Sequence, residues 1–305
     1  MPQKMLVALD GTRPSESVLS HVSSLLKLID ADVTLLRVLP RASVGDEAQA
    51  RSYLESLARP LRQKGVFVET AVACGKPADK ILEALEKGRY GLLALSSRRK
   101  KGLRRIVLGS VAEEILRRTP VPVFVTAPSP EGSPPPSAPR TIVVPLDGSH
   151  RSAAVLEPVA DLAQAAGARV SFVTVVSPTD PEELPVETAA RTLFSRQKAL
   201  ERRGLSVELA VLFGDPVNEI LRFAESRAAD LIALATHGRT GLNRWRYGSI
   251  TEAILRKSRV PLLVVRSTAQ LRSRPLRARA VEARRRALRT ASAGSGLSRS
   301  PYRGG

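Results

Sequence analysis

The chain has 305 residues, 43% of them hydrophobic but only 4% aromatic, so two cores of ordinary domain size must be built from Leu, Val, Ile and Ala. No apolar run approaches the roughly 18 residues of a membrane span, the lone Cys74 excludes an intramolecular disulfide, and Met1-Pro2-Gln3-Lys4 leads into a strand-like segment without the features of a secretory signal. These features predict a cytoplasmic protein with no transmembrane segment. Of the formal charge of +19, ten Arg against one Glu from Ser267 onward supply +9, which reads as a solvated basic surface with a basic tail before it reads as a polyanion site.

Lys4 to Leu9 is an apolar run ended by the turn signal Asp10-Gly11. Ser15 to Ile29 then places Val18, His21, Val22, Leu25, Leu26 and Ile29 at helical spacing. A strand is predicted over Val33 to Leu39, and a long helix over Asp46 to Lys64 closed by Gly65. Val66 to Ala73 forms a third strand, after which Cys74 reads as a small buried residue. Pro77 to Lys87 is a helix with proline in its first turn. Leu92 to Leu95 is an apolar strand, followed by a basic loop, a helix from Ser110 and a strand over Val121 to Val125.

The order then repeats. Met5 to Thr12 matches Ile142 to Ser149, with Asp10 and Asp147 137 positions apart. Cys74-Gly75-Lys76-Pro77 matches Phe213-Gly214-Asp215-Pro216, and Leu108-Gly109-Ser110 matches Tyr247-Gly248-Ser249, both at an offset of 139. Thr119 to Val123 resembles Ser258 to Leu262. Landmarks in one order at nearly constant offset establish a duplication. Strict β-α alternation implies parallel strands with helices on both faces, hence an α/β chain of two doubly wound five-stranded parallel-sheet domains. The expected division is residues 1–127, a Pro-rich spacer at 128–139, residues 140–267, and an Arg-rich, largely disordered tail at 268–305.

In such sheets ligands bind beyond the carboxyl ends of the strands, where the strand order reverses. That directs attention to the loops after the first and fourth strands, where the repeat is best marked. In the second copy the fourth-strand loop runs Ala235-Thr236-His237-Gly238-Arg239-Thr240-Gly241 and returns to Gly248-Ser249-Ile250-Thr251 at the start of a helix. Glycines let backbone amides approach an anion, and a helix start favours phosphate. A structural reading stands beside this one. Ser110-x-x-Glu113 and Ser249-x-x-Glu252 also fit a capping box, and Asp147 before Gly148 fits a plain turn. His237 has no partner residues at metal-ligand spacing, so no structural metal is expected. Trp245 and Tyr247 suit a subunit or domain contact as well as core packing.

These residues resemble universal stress proteins in their tandem form, over residues 1–127 and 140–267. The pattern Gly-x2-Gly-x9-Gly-(Ser/Thr) of the family's nucleotide-binding branch is matched by Gly238, Gly248 and Ser249, with Ala235 at its first glycine. The resemblance implies a Rossmann-like fold of the adenine-nucleotide alpha-hydrolase type, with ATP as cofactor in the second copy only. It implies a site of Pro145, Asp147, Val175, His237, Gly238, Gly248, Ser249, Ile250 and Thr251. The first copy departs from the pattern: Ser96, Arg98 and Arg99 align with Ala235, His237 and Gly238, and Ala8 replaces Pro145.

The resemblance implies a non-catalytic, nucleotide-responsive protein of the stress response, with no catalytic residues assigned. The alternatives are a slow ATPase or nucleotidyl-transfer enzyme on the same fold, and a nucleic-acid or anionic-surface binder working through the tail. The family commonly dimerises through its last strand, so Val121 to Val125 and Pro261 to Val265 are expected to pair edge to edge. The chain would then be an internal pseudo-dimer, with a homodimer as a further option.

Overall fold

The structure, a computed structural model, describes residues 3–41, 43–99, 106–127, 136–177, 186–236 and 249–267. The first half contains strands β1 (Gln3–Leu9), β2 (Ala31–Leu39), β3 (Val68–Cys74) and β4 (Leu92–Ser96), a short ribbon of β5 (Arg98–Arg99) and β6 (Ile106–Val107), and β7 (Val123–Thr126). Helices α1 (Arg13–Glu16), α2 (Val18–Leu25), α3 (Val44–Gln63), α4 (Pro77–Gly88) and α5 (Ser110–Arg118) connect them. The second half repeats this as β8 (Thr141–Pro145), α6 (Leu156–Ala166), β9 (Arg169–Val176), α7 (Val186–Glu201), β10 (Val207–Phe213), α8 (Pro216–Ser226), β11 (Leu231–Thr236), α9 (Ser249–Lys257) and β12 (Leu262–Arg266).

All strands except the ribbon join one sheet in the order β10-β9-β8-β11-β12-β7-β4-β1-β2-β3. Within each half the pairing is parallel, and the order reverses between β1 and β4 and between β8 and β11. Alternation of side chains lets each strand feed two cores. Met5, Val7 and Leu9 of β1 enter a cluster with α2 and α3, while Leu6 enters a second cluster with α4 and α5. Val170 and Phe172 of β9 join the first cluster and Val173 the second. With few aromatic residues available, burial of these aliphatic side chains, at roughly 1.5–3 kcal/mol each, carries the fold.

The expected edge-to-edge pairing is present. β12 runs antiparallel to β7, with Leu262 opposite Val125, Leu263 opposite Phe124 and Val264 opposite Val123. All six residues are buried. Arg266 Nη1 donates to the Arg117 carbonyl at the end of α5 (2.9 Å), satisfying a helix-end acceptor from across the seam. Arg256 on α9 meets Glu113 on α5 at 3.7 Å. The segment entering β8 is tied down as well: Asp230 Oδ2 accepts from the amides of Arg140 (2.8 Å) and Thr141 (3.0 Å).

Three expectations change. Cys74 is exposed, because β3 is an outer strand of the sheet and Cys74 is its last residue. The first helix breaks at Ser17, where the hydroxyls of Ser15, Ser17 and Ser20 bond to carbonyls three residues back and compete with the backbone pattern. No capping box starts α5. Gly109 is its cap, extended at φ −74°, and its carbonyl takes the Glu113 amide at 3.0 Å, so Ser110 lies one residue inside the helix. A capping box does open α3, between Ser43 and Asp46. Residues 268–305 lie outside the described residues.

His21 on α2 lies at the seam. Its ring packs against Phe124, with centroids 6.1 Å apart. It lines a cavity of about 20 Å³ closed by Ser137, Pro139, Asp230, Leu231 and Pro261, room for about one water. Burial holds the His21 imidazole below its ordinary value of 6.5. The unfolded chain therefore takes up this proton before the folded one does, and stability falls as pH drops below about 6.5. We expect His21→Gln to flatten that part of the pH dependence of the urea midpoint between pH 7.5 and 5.5; an unchanged slope would exclude His21 as its source. Since β7 and β12 satisfy each other within one chain, light scattering is expected to give the mass of a single chain. A dimeric mass would require an interface elsewhere, such as the outer strands β3 and β10.

Candidate functional site

At the carboxyl end of the second half, β8 and β11 pair only through Ile142 with Leu231 and Val143 with Ile232. Beyond those pairs no further β8–β11 bridge is formed, and the crevice at the order reversal opens there. Pro145 closes β8 opposite Val173, and the Leu146 amide continues the ladder to the Val173 carbonyl at 2.8 Å. Asp147 follows, exposed at the rim. Its Oδ1 accepts from the Ser149 amide (2.9 Å) and the Ser149 hydroxyl (2.7 Å), a turn that requires Gly148 at φ +82°. Asp10, Gly11 and Thr12 repeat this in the first half, at 3.0 and 2.6 Å with Gly11 at φ +86°. The turn reading of Asp147 therefore holds in both copies, and it presents a carboxylate at the end of the first strand.

Val175 lies one residue before the end of β9 and packs on the α8–α9 side of the sheet. Pro145 has the strand parity of Val143, which belongs to that same cluster. The first turn of α9 approaches from this side. Thr251 is 8% exposed and its Oγ1 lies 3.4 Å from the Ala235 carbonyl, linking α9 to the end of β11. Ile250 is 40% exposed. The fold thus carries Pro145, Asp147, Val175, Ile250 and Thr251 to the carboxyl edge of one half-sheet. His237, Gly238 and Gly248, and with them Trp245 and Tyr247, lie outside the described residues, as does the Ser249 side chain. Thr236 is 1% exposed, and its hydroxyl finds no hydrogen-bond partner among the described residues. Among the described residues no three His, Cys, Asp or Glu side chains gather into a metal site.

The first half is arranged differently. Ser96, at the end of β4, shares a hydrogen bond with Ser17 (3.0 Å), and Ser97 donates to the Thr126 carbonyl. Arg98 and Arg99 then pair antiparallel with Val107 and Ile106. A two-residue ribbon thus occupies the backbone that aligns with the second copy's His237-Gly238.

One participant escaped the sequence. Arg196, on α7, reaches the Asp147 turn: its Nη2 donates to the carbonyls of Gly148 (3.0 Å) and Ser149 (2.7 Å), and its Nη1 to the Ser152 hydroxyl (3.3 Å). Burial lowers its pKa and the charge of Asp147 opposes that shift. On an amphipathic helix rich in charge, nothing in the pattern separates this arginine from its solvated neighbour Arg191.

The family model for universal stress proteins matches residues 1–127 and 139–266. A universal stress protein of Methanocaldococcus jannaschii is 32% identical over 139 residues, covering 42% of this chain and 82% of that protein. One from Synechocystis is 28% identical over 225 residues, 72% of each. A solved universal stress protein from Archaeoglobus fulgidus superposes with a TM-score of 0.71 at 22% identity, over 87% of this chain and 98% of that one, and so shares the fold. The chain belongs to the universal stress protein family and carries its domain twice.

Proposed function

We propose that the second copy binds ATP or a related adenine nucleotide, and that the protein acts without catalysis, as a nucleotide-responsive module of the stress response. The observation that carries this reading is the difference between the two fourth-strand loops, since the first-strand turn has the same form in both copies. In the second copy the Asp147 turn, the diverging ends of β8 and β11 and the first turn of α9 share one edge, and the fourth-strand loop keeps Gly238 and Gly248 at the family's spacing. The positive dipole end at the start of α9 favours a phosphate there, while Pro145 and Val175 offer an apolar wall to a nucleoside. In the first copy Arg98 and Arg99 stand at the aligned positions and are held in a ribbon, which disfavours the same pose. The proposed working unit is residues 140–267, with 1–127 as its fused partner.

Titration with a fluorescent ATP analogue is expected to give one site per chain. Gly238→Arg, which installs the first copy's residue in the second, should weaken binding by about tenfold or more, a loss of about 1.4 kcal/mol or more. Equal, weak binding by the two proteins would remove the site assignment. Turnover of ATP above background, abolished by Asp147→Asn, would replace the non-catalytic reading with an enzymatic one.

A further inference from the structure

We propose that Arg196 is the positioning residue of the Asp147 turn, and that each copy backs its first-strand turn with a guanidinium drawn from a different element. The ligand-binding part of this inference rests on the reading of the second copy as a nucleotide site.

In the second copy the guanidinium comes from α7. A tight turn leaves its carbonyls pointing back toward the protein, and Arg196 meets two of them, Gly148 and Ser149, while also holding Ser152. Its planar fork suits several acceptors at once, and a single ammonium would reach fewer of them. The aspartate then keeps its bond to the Ser149 amide and its place at the rim.

The first copy has Leu57 at the position aligned with Arg196, by the offset that matches Leu54 with Leu193 and Leu61 with Leu200. Leucine cannot donate. A different arginine stands there instead. Arg37, on β2, lies so close to Gly11 that a Cβ on that glycine would meet its Cζ and Nη2 at 2.7 Å. Its guanidinium also stacks on Tyr53 of α3, 5.2 Å from the ring centre. By strand register Arg37 corresponds to Thr174, because Leu36 faces Ala8 as Val173 faces Pro145. Thr174 uses its own hydroxyl on the Leu146 carbonyl, at 2.6 Å. The copies have therefore exchanged positions, arginine on the strand in one and on the helix in the other, while the turn they serve has the same form. A guanidinium thus stands against the turn in both copies, by hydrogen bonds to its carbonyls in the second and by packing on Gly11 in the first.

The test uses the full chain, with Arg196→Leu, Arg196→Lys and Arg37→Leu, read by amide exchange at Ser149 and Ser152 and by titration with the fluorescent ATP analogue. Arg196→Leu is expected to speed exchange at both amides and to weaken nucleotide binding about tenfold, the scale of one lost charge-assisted hydrogen bond. Arg196→Lys should recover part of both effects. Arg37→Leu should speed exchange at Thr12 and leave the second copy's affinity unchanged. Wild-type exchange at Ser149 in Arg196→Leu would overturn the proposal, and so would faster exchange with unchanged affinity. If the wild-type chain takes up no nucleotide, the reading of the site fails, and exchange alone then decides whether Arg196 holds the turn.

Discussion

The pairing of β7 with β12 is the constraint on which the rest of the molecule depends. Each half-sheet ends in an apolar strand whose outer edge would otherwise expose unpaired amides and carbonyls. Val123–Val125 and Leu262–Val264 satisfy each other instead, and three facing residue pairs turn two five-stranded sheets into one of ten. The helices follow. α5 and α9 are drawn together across the seam, where Arg256 meets Glu113 and Arg266 caps α5. The covalent link makes this pairing intramolecular, so its loop-closure cost grows only slowly with the length of the spacer.

The outer edges are handled differently. On β3 and β10 the first carbonyls are taken by side chains: Arg62 donates to Val68 and Gln197 to Val207. Glu69 and Glu208 put a charge on each outer strand. These measures discourage further strand addition, although Phe213, 65% exposed at the end of β10, leaves an apolar side chain there.

Much of the fold was legible in the sequence, for a physical reason. In each copy nine segments with period 2 or 3.6, punctuated by Gly and Pro, specify strands buried on both faces and helices buried on one. The seam followed from the family resemblance, with Val121 to Val125 and Pro261 to Val265 apolar enough to pair. What stayed hidden depends on neighbours far along the chain. Its own strand makes Cys74 look buried, whereas its exposure follows from β3 being outermost. Ser110 fits a cap by sequence, whereas one residue of backbone geometry gives that place to Gly109. At the candidate site the Asp147 turn was visible as Asp-Gly-Ser, yet its support by Arg196 crosses 47 and 48 positions and leaves no local trace.

The antiparallel sense of the seam has one more effect. Parallel strands within a half all finish at the same edge, so reversing one half against the other sends the two sets of carboxyl ends in opposite directions. The Asp10 turn and the Arg98–Arg99 ribbon thus face away from the Asp147 turn and the start of α9. A symmetric dimer of such domains would have two interchangeable poles. This chain has a head and a tail: one pole carries the Asp10 turn and the β5–β6 ribbon, the other the Asp147 turn and the start of α9.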